Sequence, residues 1–169
     1  MDKNGIYMTF TYRNGLWLIL LLALTAIGTA LFYEYVLNYQ PCALCYEERL
    51  PYYALIAIAI FALATDKFIG KALMIGLGIL MFLGGLYGAY HAGIEWGFWP
   101  GPVSCTGTGL NISADVDLLA LVQDVKIVPC DVANWRLFGI SFAGYNTLVS
   151  LLIADICAFT LLKNRAIKN

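Results

Sequence analysis

The chain has 169 residues, of which 61% are apolar and only 12% charged. A soluble domain carries nearer ~45–50% apolar and ~25% charged residues. At this length the surplus apolar surface has nowhere to hide from water, which excludes a soluble enzyme and a disordered tail. Ten Lys and Arg against eleven Asp and Glu leave a net charge of −1 and no basic field for nucleic acid.

Charges punctuate the chain. Residues 14–33 are uncharged, as are 50–65, 72–90 and 137–154. A helix rises ~1.5 Å per residue through a hydrocarbon core of about 30 Å, so a span needs ~20 residues. The first predicted span covers about 15–35. Its apolar run exceeds the ~7–15 residues of a signal-peptide core, which reads as an uncleaved anchor. A short loop of about 36–46 carries Pro41-Cys42-Ala43-Leu44-Cys45. The second span, about 47–65, reaches full length if Arg49 snorkels. A seven-residue connection at 65–71 then forces the third span, about 72–90, to lie antiparallel beside it. Gly76, Gly78, Gly84, Gly85 and Gly88 stud that span and suit close helix packing.

A long loop, about 91–138, follows. Ser113 is an N-cap for a short amphipathic helix from 114 to about 125, suited to lying at the headgroup plane. Trp99-Pro100-Gly101-Pro102 and Thr106-Gly107-Thr108-Gly109 read as loop flanks around Cys105. The fourth span covers about 139–162. The expected architecture is one domain, residues 1–169: an all-α integral membrane four-helix bundle with two loops on one face. Within the last span, Asp155 reads as a bundle-facing polar contact and Cys157 as a buried filler.

Seven of ten basic residues (Lys3, Arg13, Lys67, Lys71, Lys163, Arg165, Lys168) fall at the termini and the 65–71 connection. The positive-inside rule puts those segments in the cytoplasm and both loops outside. Trp96, Trp99, Trp135 and most tyrosines gather at the outer ends. An interfacial belt explains most of them, and a flat ligand fits among such rings.

Four of the five cysteines lie in the outward loops, where the compartment permits disulfides. Four cysteines allow three pairings. Spacing favours Cys42 with Cys45 and Cys105 with Cys130. A CxxC ring suits redox cycling better than stapling. Closing the 26 residues from Cys105 to Cys130 stabilises by ~3–4 kcal/mol in the chain-entropy picture, so a structural staple is the ordinary reading of that pair. Cys45 is expected at the start of span two, where free backbone N–H groups favour a thiolate. Arg49 lies one turn on, with Glu47 and Glu48 opposing it. His91 ends span three; its ordinary role is a hydrogen-bonded cap, and beside Arg49 it is placed to donate to a polar ligand head. A zinc site is disfavoured, because zinc knuckles show two CxxC pairs and here the second pair is split.

This pattern resembles the DsbB family, the quinone-dependent inner-membrane thiol oxidases of bacteria. The resemblance runs from about Leu16 to Leu162, and its most specific part is Cys42-x-x-Cys45-x-x-Glu48-Arg49 at a membrane boundary. It implies that Cys105 receives attack from a periplasmic thioredoxin-like dithiol oxidase (DsbA-like), and that Cys130 exchanges with Cys42. It implies that Cys45 meets the quinone, ubiquinone or menaquinone, with Arg49 and His91 at its carbonyl oxygens. Asp155 and Cys157 match no motif of the family. A vitamin K epoxide reductase-like enzyme is a rival, but there the loop cysteines precede the CxxC and here they follow it. A tetraspan scaffold with structural disulfides is the rival outside enzymes.

Overall fold

The computed structural model describes residues 3–102, 105 and 128–166, with only the backbone described for 3–11 and 165–166. The helix expected at 114–125 and the flank at 106–109 lie outside the described residues. Five helices and one hairpin are described: α1 (Lys3–Tyr35), α2 (Ala43–Glu47), α3 (Leu50–Thr65), α4 (Lys71–Glu95), β1 (Arg136–Leu137), β2 (Ile140–Ser141) and α5 (Phe142–Ala166). Four stretches are long and apolar enough to cross a membrane: Tyr12–Tyr35, Ala43–Thr65, Lys71–Glu95 and Phe142–Asn164. The predicted four-helix membrane bundle is therefore the architecture found.

Burial follows the logic of a membrane solvent. No more than 33% of any span's most apolar window is buried inside the protein. Leu21, Phe61, Phe82, Leu83 and Phe159 all point outward. In water such a surface would aggregate; in lipid it is solvated. The interior is a narrow seam of Leu16, Ile19, Ala23, Leu55, Ala59, Met74, Met81 and Ile153, with Cys157 1% exposed beside them. Cys157 is thus the expected filler. Asp155 is not the expected bundle contact: it is exposed. On α5 the buried positions are Ile153, Cys157 and Thr160, spaced by four and three, and two residues of helix carry Asp155 to the opposite side.

α4 and α5 pack closely because α4 presents a smooth face. A Cβ on Gly88 would lie 2.7 Å from Asn146 Nδ2 and 2.9 Å from Thr147 Oγ1. Only a residue without a side chain lets the two helices approach this far. On the side of the 65–71 connection, Arg13 of α1 pairs with Asp66, which caps α3 in the left-handed region (φ 52°).

Three boundaries differ from the sequence reading. α1 starts at Lys3 rather than near 15. Span two starts earlier, at Ala43, and is broken between α2 and α3, where Pro51 sits in the first turn of α3 and brings no N–H to continue the ladder. α4 runs past His91 to Glu95, ending where Gly97 takes a positive φ of 75°. The fourth span is preceded by an unpredicted hairpin: Arg136 pairs with Ser141 and Leu137 with Ile140. Its two-residue turn, Phe138 (φ 51°) and Gly139 (φ 82°), has the positive φ pair that tight hairpins require.

Candidate functional site

The end of the bundle away from the 65–71 connection holds a second, smaller core built from sulfur: Cys42, Leu44, Ile94, Cys105 and Cys130, with Cys45, Tyr87 and Val128 against it. Cys105 and Cys130 are joined in a disulfide, while Cys42 and Cys45 are thiols. Of the two pairs that spacing favours, one is therefore bonded here and the other is reduced.

Cys42 is the N-cap of α2. Its Sγ accepts a hydrogen bond from the Cys45 backbone N–H at 3.2 Å. His91 Nε2 lies 3.6 Å from the same sulfur. The Cys42 pKa is pulled down from 9.0 to about 5: hydrogen bonding from Cys45 is the largest cause, burial opposes it, and His91 adds to it. The thiolate-favouring position at the helix start thus belongs to Cys42, where the sequence reading had put Cys45. The reason is the earlier start of α2, which makes Cys45 a first-turn residue.

His91 is 1% exposed and sits inside α4, not at its end. Its Nδ1 is 2.7 Å from Glu48 Oε1, and Glu48 is itself 7% exposed. Both ring nitrogens are engaged, so a carbonyl oxygen would have to replace Cys42 Sγ at Nε2. Cys42 Sγ, a ring nitrogen of His91 and Cys130 Sγ lie within 4.8 Å of one another.

Arg49 forms an ion pair with Glu34 at the outer end of α1, and its guanidinium lies over the Tyr46 ring, 5.2 Å from the centroid. Tyr46 OH donates to the other Glu34 oxygen at 2.9 Å. Glu47 accepts from Tyr87 OH instead. The counter-charge of Arg49 is therefore Glu34, fifteen residues upstream, rather than the adjacent Glu47 and Glu48. Glu34 and Glu48 are the residues that sequence reasoning missed. Both were visible as acids at the outer boundary, but nothing local says which partner each one finds.

These groups face one cavity of about 480 Å³. Cys42, Cys45, Arg49, His91 and Cys130 line it, with Glu48 and Tyr52. Cys105 touches this arrangement through its bond to Cys130. One wall is aromatic: Tyr33, Trp135 and Phe142 are mutually packed, with Trp135 and Phe142 stacked at 4.5 Å. Much of the remainder is apolar, including Leu22, Ala26 and Ile27 of α1. Asn146 also lines the cavity; its Nδ2 is buried and lies on the Glu48 side, without a hydrogen bond of ordinary geometry among the described residues.

A family profile described as "Disulfide bond formation protein DsbB" matches residues 12–160. A disulfide bond formation protein B 1 of Pseudomonas fluorescens is 31% identical over 172 residues, covering 90% of this chain and 91% of the relative. A disulfide bond formation protein B of Albidiferax ferrireducens is 30% identical over 142 residues, 78% of each chain. An uncharacterized protein of Rickettsia prowazekii is 28% identical over 137 residues, covering 78% and 77%. No solved structure matches the chain. With four membrane helices, a reduced CxxC against a loop disulfide, and a profile match over most of its length, this chain belongs to the DsbB family of disulfide bond formation proteins.

Proposed function

We propose that the protein is a membrane thiol:quinone oxidoreductase of the bacterial inner membrane, with both termini cytoplasmic, that reoxidises a periplasmic thioredoxin-like dithiol oxidase. The observation that carries this reading is the meeting of Cys42, Cys45 and Cys130 on one apolar cavity at the outer end of the spans. A sulfur relay that ends in such a cavity suits an acceptor that arrives through lipid. A volume of about 480 Å³ fits the ring of a quinone, within the ~300–1,000 Å³ usual for small-molecule sites. The donor set fits as well: Arg49 lines the cavity and supplies a cation with hydrogen-bond donors. The quinone, when bound, takes two electrons and two protons.

The chain's own residues do the rest. Cys105 is the sulfur for a partner thiolate to attack; the bond to Cys130 breaks and Cys130 leaves as a thiolate. Cys130 lies within 4.8 Å of Cys42, close enough for exchange with little motion. The exchange takes place with Cys42 and Cys45 in their disulfide form: the Cys130 thiolate attacks Cys42 Sγ, the Cys42–Cys45 bond breaks and Cys45 leaves as a thiolate. Arg49, held by Glu34 and Tyr46, faces the cavity where negative charge develops on a carbonyl oxygen.

The test is anaerobic mixing of the purified protein, carrying its quinone, with a reduced thioredoxin-like dithiol protein, following quinone absorbance. The reading predicts one oxidised quinone lost per dithiol, abolished in Cys42→Ala and Cys45→Ala. Unchanged absorbance in the wild-type protein would overturn it and favour a scaffold with structural disulfides.

A further inference from the structure

Cys42, His91 and Glu48 stand in a line. Cys42 Sγ lies 3.6 Å from His91 Nε2, and His91 Nδ1 lies 2.7 Å from Glu48 Oε1. The three residues are 5%, 1% and 7% exposed, so water does not hold this imidazole in place. We propose that Glu48 is the positioning residue of a proton relay in which His91 takes the proton of Cys42. The inference rests on the Cys42/Cys45 pair being redox-active, as argued above.

The geometry requires a particular tautomer. A carboxylate against Nδ1 holds a proton there, which turns the Nε2 lone pair toward the sulfur. The proton then passes from Sγ to Nε2 while the Nδ1 proton stays on the Glu48 side, and no electron moves in this step. A buried imidazolium without a carboxylate beside it would be too costly to form. When Cys42 and Cys45 afterwards join, the two sulfurs give up two electrons and two protons to the quinone, the oxidant named by the proposed function. This is the arrangement of an activated nucleophile, its base, and a third group that orients the base.

Few other charges act on the relay. Glu95, one turn further along α4, accepts from Ser141 Oγ and acts on His91 through space, without a contact to it. Tyr52, from α3, has its hydroxyl on Ser150 Oγ at 2.8 Å. Cys130 is in its disulfide and Arg49 is taken by Glu34. Glu48 is thus the acid placed to act on His91 directly.

The experiment uses the intact protein in detergent, freed of quinone, in a Cys45→Ser, Cys105→Ala, Cys130→Ala background so that Cys42 has no sulfur to exchange with. Alkylation of Cys42 by iodoacetamide is followed against pH by peptide mass spectrometry, with an added cysteine-containing peptide as the reference. Glu48→Gln is expected to move the midpoint of the rate profile up by about 1 unit or more, slowing alkylation about tenfold below the midpoint. His91→Gln moves it at least as far, and adding Glu48→Gln to His91→Gln moves it no further. An unchanged profile in Glu48→Gln, with or without lost thermal stability, reduces Glu48 to a structural role and overturns the proposal. Should Glu48→Gln not fold, an unchanged profile in His91→Gln overturns it equally. Because no quinone is present, a failed relay and a failed quinone reading give separate results.

Discussion

Arg49 and Glu34 form an ion pair at the CxxC end of the bundle, joining the start of α3 to the end of α1 with side chains 11% and 8% exposed. On the proposed topology, the pair gives a reason for a cation on the face where the positive-inside rule disfavours one. A guanidinium that lines the cavity while its charge is held from behind is oriented rather than mobile.

Arg49→Ala should therefore slow quinone reduction by about 10²-fold, the usual loss when one donor to a developing oxyanion is removed. Mixed-disulfide formation between a partner and Cys105 should proceed at the wild-type rate. Rapid quench with acid trapping separates the two steps. Glu34→Gln leaves the cation uncompensated, and breaking one side of a buried pair costs roughly 3–5 kcal/mol. Arg49→Ala breaks the same pair from the other side, so thermal unfolding in detergent should show both variants less stable than the wild type.

The acidity of Cys42 carries a pH dependence with a definite sign. The folded thiol titrates at about 5, against ~8.5 in an unfolded chain. Between these values the unfolded chain binds a proton that the folded, reduced protein does not. Stability then rises with pH across this window and is lost as pH falls toward 5. The melting temperature of the reduced wild type, compared with Cys42→Ala, should climb from pH 5 to pH 8. Parallel curves would contradict the assignment of the low pKa to Cys42.

The loop disulfide and the CxxC should separate functionally. Cys105→Ser removes the sulfur assigned to the partner, so oxidation of a thioredoxin-like protein should fall to background. A small dithiol that reaches Cys42 and Cys45 directly should still reduce the quinone through this variant. Equal loss with both reductants would mean that the 105–130 pair holds the site together instead of relaying electrons.

Helix packing under the site depends on Gly88. Gly88→Ala puts a Cβ 2.7 Å from Asn146 Nδ2, and overpacking of this kind costs about 1–3 kcal/mol. Gly76→Ala meets nothing within 4 Å and should leave the melting temperature unchanged. Melting of both variants in one detergent checks the contrast.

Much of this was legible in the sequence, for identifiable reasons. The spans could be read because charges are excluded from the hydrocarbon core, so Arg13, Glu34, Lys71 and Arg136 mark boundaries to within a few turns. The CxxC and the split loop pair could be read because cysteine spacing constrains what sulfur can do. His91, Arg49 and the four loop-borne cysteines do converge in the structure. What stayed hidden depends on pairing across distant segments. Glu34 reads only as punctuation until α1 and α3 come together, and Glu48 reads as the neighbour of Arg49 until α4 brings His91 within 2.7 Å. The hairpin before α5 needs Phe138 at positive φ, which nothing about a phenylalanine announces. Asp155 was misplaced because a charge inside a span suggests a buried role, whereas the helical phase turns it outward.

In the proposed function Cys42 and Cys45 hand an electron pair directly to a quinone. This transfer is tested most directly by a single turnover in a Cys105→Ala, Cys130→Ala protein, reduced, freed of quinone and mixed anaerobically with one equivalent of a short-chain quinone. The account predicts loss of one oxidised quinone per chain, together with a Cys42–Cys45 disulfide found by peptide mass spectrometry, and neither event in the same protein carrying Cys45→Ala. Quinone that stays oxidised beside the reduced pair, or that is consumed equally well without Cys45, would contradict it.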